Sequence, residues 1–171
     1  MNRHTLLAAA VAATLVLAGC QADIGEKSAP KQDPNAAPLV APATDDDAAW
    51  KAYLGQVIGQ NMDGVTERTF NYYLPAGTDS AEEDGPYDRM KVDVNAALLR
   101  TVLPGNMLTF SSPNSTMMAD LVVAAFEGEE LEEDALKGSR VLFIGESKDE
   151  SRVRQAALSV GAEFRFVEVK R

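Results

Sequence analysis

The chain has 171 residues, 16 basic and 26 acidic, for a net charge of −10. Binding to nucleic acid rests on Lys and Arg neutralising phosphates, so a surface of this sign argues against it, and anionic lipid head groups would repel it. His4 and Cys20 are the only histidine and the only cysteine, which leaves little for zinc sites or nucleophile–histidine catalysis.

The first five residues are polar, with Arg3 as their fixed positive charge, and residues 6–17 form a run of Leu, Ala and Val broken by Thr14. That run is about twelve residues, short of the ~20 needed to span a bilayer and within the length of a secretory signal. Leu17, Ala18, Gly19 and Cys20 follow. This quartet resembles the lipobox of bacterial lipoprotein precursors, although an ordinary secretory cut near Ala18 would suit the same leader. The resemblance implies cleavage between Gly19 and Cys20, a diacylglycerol on the thiol and an acyl chain such as palmitate on the new amino group. Two or more chains, each CH₂ worth about 0.8 kcal/mol, hold a protein stably on a bilayer without spanning it. Gln21, at the position that lipoprotein sorting reads, implies the outer membrane with the domain facing the periplasm.

Removal of the leader takes away His4 and Arg3, and lipid consumes Cys20, so 15 basic residues remain against 26 acidic. Ser-His-Asp and Cys-His catalysis, the usual zinc sites and an intramolecular disulfide are thereby excluded. The expected organisation is a signal peptide at 1–19, a lipidated flexible tether at 20–45 and one globular domain of about 126 residues at 46–171, a common domain size. The tether carries Pro30, Pro34, Pro38 and Pro42 and shows no periodic apolar face. As a Pro-rich spacer at about 3.1 Å per residue it reaches roughly 75 Å at most.

Asp45, Asp46 and Asp47 precede an apolar stripe at Trp50, Tyr53, Leu54, Val57 and Ile58, the spacing of one helix face. The acids suit the helix start, where they cap it and face the positive end of its dipole. Residues 68–74 are rich in aromatics and end at Pro75, so they predict a strand. The acidic loop after it fails as a calcium loop, because Ser80 would take position 1 and Lys91 position 12. A helix is predicted over residues 87–103, with Met90, Val94, Leu98 and Val102 on one face and Pro104 as its stop.

Residues 107–110 predict a short strand, followed by a helix bearing Met118, Leu121, Val122, Ala125 and Phe126, with Ser112 as N-cap and Pro113 behind it. Residues 127–134 hold six acids among eight and predict a solvated face. Residues 140–144 are nearly all apolar, as in a strand buried on both faces of a parallel sheet. Ser147 with Glu150 fits a capping box for a helix carrying Val153, Ala156, Ala157 and Val160, Gly161 suits its C-terminal cap, and residues 164–169 form a final strand.

Strand and helix alternate from residue 68 to the end, which predicts an α/β fold: a small three-layer sandwich with a mostly parallel sheet of about four strands, Rossmann-like or flavodoxin-like in pattern. Ligands in such sheets bind beyond the carboxyl ends of the strands. The candidate loops there contain Ser111, Ser112, Asn114 and Ser115, and Gly145 and Ser147 with Lys148. Helix N-termini favour anions, but neither loop matches a dinucleotide or phosphate-loop pattern, and Glu146, Asp149 and Glu150 oppose a phosphate. Helix capping is the simpler role for these residues. No metal, cofactor or catalytic residue is expected. The leading functional expectation is a non-catalytic lipoprotein, anchored to the bilayer through Cys20, whose domain binds an envelope protein as an accessory factor or immunity-type inhibitor. A small-molecule or anion site on the loop at 111–115 comes second, and an enzyme working without His or Cys third.

Overall fold

A computed structural model describes residues 39–100, 102–128 and 131–170 of the chain. Cys20, the leader and the tether up to residue 38 lie outside the described residues. In chain order the elements are α1 (Asp47–Gln60), β1 (Thr69–Tyr73), α2 (Pro86–Leu98), β2 (Met107–Ser111), α3 (Ser115–Phe126), β3 (Arg140–Gly145), α4 (Ser147–Ser159) and β4 (Glu163–Glu168). The four strands form one parallel sheet in the order β1-β2-β3-β4. Leu108 pairs with Phe70 on one side and Val141 on the other, and Val141 with Phe164.

Strand order dictates the layers. Each crossover steps in the same direction, and crossovers of one hand then place every connecting helix on the same face. Val94 and Leu98 of α2, Met118, Leu121 and Val122 of α3, and Val153 and Ala156 of α4 accordingly share one core with Leu108, Phe110, Val141 and Phe143. The alternate strand residues Met107, Leu142 and Ile144 point the other way. They pack against Trp50, Tyr53, Leu54 and Val57 of α1, the one helix on that face among the described residues. The expected three-layer α/β sandwich is therefore what forms. Among the described strands the order never reverses, so the sheet lacks the switch-point crevice in which doubly wound folds hold their ligands.

Most local expectations hold, and four shift. Asp46 caps α1, its carboxylate accepting from Ala49 N at 2.7 Å, and the indole N–H of Trp50 donates to Thr44 O. Ala41, in the last stretch of the expected tether, is buried in the α1 core, with Leu39 packed beside it. Gly161, at φ +79°, ends α4: its N–H donates to Leu158 O while Ala162 N donates to Ala157 O, a Schellman arrangement. The N-cap of α3, however, is Asn114 and not Ser112. The Ser147 and Glu150 capping box does not form, because Glu146 takes the cap position without a side-chain bond and Glu150 pairs with Arg154. Helix α2 ends at Leu98, five residues before residue 103. Val102 is buried as its helical spacing suggested, but it reaches the core from the connecting loop.

Candidate functional site

The loops after β2 and β3 meet at the carboxyl edge of the sheet. At the end of β2 the hydroxyl of Ser111 lies 3.5 Å from Tyr72 O. Ser112 Oγ accepts the N–H of Asn114 at 3.0 Å, and Asn114 Oδ1 accepts from Met117 N at 3.1 Å. These bonds make the turn that starts α3, since the first N–H groups of a helix need acceptors.

Ser115 couples that turn to the next loop. Its hydroxyl accepts from Glu146 N at 2.8 Å and donates to Asp149 Oδ2 at 2.7 Å. Gly145 makes this approach possible, because a Cβ there would lie 2.6 Å from both Ser115 Oγ and the Phe143 ring. Thr116 also bonds to Asp149 Oδ2, at 3.3 Å. Arg152 grips the other carboxylate oxygen with Nε at 3.1 Å and Nη2 at 2.7 Å, donates to Thr116 O and pairs with Asp120.

Asp149 is the residue that the sequence reading assigned no structural part. It is only 3 % exposed, and a buried carboxylate is tolerable only when paired and fully hydrogen-bonded. Its four contacts come from three side chains on two helices, so the cluster joins α3 to α4. Burial disfavours the charge on Arg152, but the hydrogen bonds it donates to Asp120 and Asp149 outweigh that and raise its pKa.

The structure thus brings Ser115 and Gly145 together with Glu146 and Asp149, while Ser112 and Asn114 serve their own turn. Ser147 stands exposed at the start of α4, beside a Lys148–Glu146 ion pair of 2.7 Å. Ser115 resembles a nucleophile beside a carboxylate only on paper. It is 3 % exposed, and its one hydrogen is committed to Asp149. Nor do the tyrosines supply a base. Burial, then the Asp47 carboxylate, holds Tyr73 well above its ordinary pKa, and burial with Asp93 does the same to Tyr72, so both phenols stay protonated at neutral pH. Among the described residues no three His, Cys, Asp or Glu side chains are grouped to hold a metal ion.

No family model, curated protein or solved structure matches this chain. The reading of the site therefore rests on its own geometry. No helix among the described residues is long and apolar enough to cross a membrane.

Proposed function

We propose that this chain is a non-catalytic lipoprotein, held on the membrane through an acylated Cys20, whose α/β domain binds a protein partner of the bacterial envelope. The observation that carries the reading is the mutual saturation of Ser115, Asp149 and Arg152. Where α/β sheets ordinarily hold ligands, this one spends its polar groups on joining two helices. Recognition then falls to the outer surface, which is strongly acidic. Glu132, Glu133 and Asp134 are exposed between α3 and β3 and fit a basic face on a partner.

Co-purification of the full chain from solubilised membranes tests this. Charge reversal of Glu132, Glu133 and Asp134 to Lys should release the partner. Ser112→Ala with Asn114→Ala should leave it bound. Retention by the charge-reversed form and loss in the loop double variant would move recognition to the carboxyl edge.

A further inference from the structure

The early end of α2 leaves part of the sheet uncovered. The helix ends at Leu98, and a cavity of about 430 Å³ lies between residues of the helix end, Ala97 and Arg100, and the strand residues Phe70 and Leu108. Its floor is Phe70 and Leu108, with Ala97 and Val102 at its sides, and Phe70 is left 37 % exposed. Leu103, 60 % exposed, stands at the rim. The cavity lies at the opposite end of the strands from the Ser115–Asp149 cluster.

Charge gives the cavity a sign. Arg68 and Arg100 both line it, and among the described residues neither guanidinium forms an ion pair or hydrogen bond. Two unengaged arginines are notable in a chain where acids outnumber bases 26 to 16. The opposing groups are Glu67, which lines the same cavity, and the negative end of α2, one residue past whose C-cap Arg100 stands. Against Arg68 and Arg100 together these leave a balance of about half a positive charge. Asn106 is already engaged on both sides, since one amide N–H donates to Leu103 O and its oxygen accepts from Arg68 N.

We infer that this cavity binds a small amphipathic anion, a carboxylate carried on a short aromatic or aliphatic body. The volume falls in the range of small-molecule sites, which combine an apolar lining with a few polar groups that fix orientation. The body covers Phe70 and Leu108, and the carboxylate meets Arg68 and Arg100, for which planar guanidinium groups are well shaped.

The test uses the full chain, with its Leu and Val methyl groups labelled for nuclear magnetic resonance, titrated with 3-phenylpropanoate and with the neutral 3-phenylpropan-1-ol. The expected result is a saturable shift of the Leu103, Leu108 and Val102 methyls with the carboxylate, while Leu54 and Val57 on the other face stay still. Arg68→Gln should weaken binding about tenfold, the equivalent of one charge-assisted hydrogen bond. Glu67→Gln should tighten it, an effect that damage to the fold would not produce. Equal binding of the alcohol, shifts on both faces of the sheet, or no saturable shift would each overturn the inference.

Discussion

The hydroxyl of Ser115 donates to the carboxylate of Asp149 at 2.7 Å, across 34 residues of chain. This bond ties the start of α3 to the first turn of α4, and with it the loops after two neighbouring strands. Ser115→Ala would leave Glu146 N–H without its acceptor and Asp149 with one donor fewer. Buried polar groups left in that state cost about 1–3 kcal/mol. Ser147→Ala, at an exposed position, should change stability by no more than about 0.5 kcal/mol. Urea unfolding of the two variants checks the contrast.

Gly145→Ala should destabilise the domain by about 1–3 kcal/mol, the usual cost of overpacking. Its added methyl meets the Phe143 ring and Ser115 Oγ at 2.6 Å, and both neighbours are buried. The backbone at Gly145 is not left-handed, so relief must come from the packing. Ser115→Ala in the same chain should recover part of the loss, because it clears one of the two clashes. Unfolding midpoints of the single and double variants give the coupling.

Glycines elsewhere divide by conformation. Gly161 sits at φ +79° in the cap of α4, and Ala there should cost about 1–2 kcal/mol, the strain of a left-handed residue. Gly55 lies within α1 with nothing within 4 Å of an added Cβ. Gly55→Ala should therefore stabilise by about 0.5–1 kcal/mol through the unfolded chain and helix propensity. Thermal unfolding should move in opposite directions for the two substitutions.

The acid and alkaline limits come from opposite shifts. Lys51 Nζ, 2.6 Å from Asp47 Oδ2, holds that carboxyl below its ordinary value of 3.8. Its contribution is present above pH 3.8 and lost as pH falls through the lower folded value. Burial raises Tyr53, Tyr72, Tyr73 and Tyr87 above 10.0, so their contribution is complete below pH 10 and lost as pH rises beyond it. Stability should be nearly level between about pH 5 and 9 and fall on the alkaline side, less steeply in Tyr73→Phe. Carboxyl resonance titration of Asp47 in Lys51→Met should show its pKa moving back up.

The layered fold was legible because its signals are local. Apolar spacing gave α1 through Trp50, Tyr53, Leu54 and Val57, and the run at residues 140–144 gave a strand buried on both faces. Element ends were less so. Val102 kept the helical period of Val94 and Leu98, yet burial depends on where a side chain arrives, and a loop delivers it as well as a helix. Ser112 and Asn114 are both good caps, and only the path of the chain selects between them. Strand order left no trace in the sequence, since it is set by packing between distant segments. Asp149 did carry a signal. It lies four residues before Val153 and seven before Ala156, on the apolar stripe of α4, and an acid in that register needs a buried partner. The partners, Ser115 and Thr116, come from another helix and could not be named from the α4 segment alone.

The most direct test of the partner reading is crosslinking in living cells of the intact chain beside Cys20→Ala, followed by mass spectrometry. The account predicts one dominant envelope protein crosslinked in stoichiometric yield, lost when Cys20 is replaced. An abundant, folded chain that yields no partner, or the same products with and without Cys20, would contradict it.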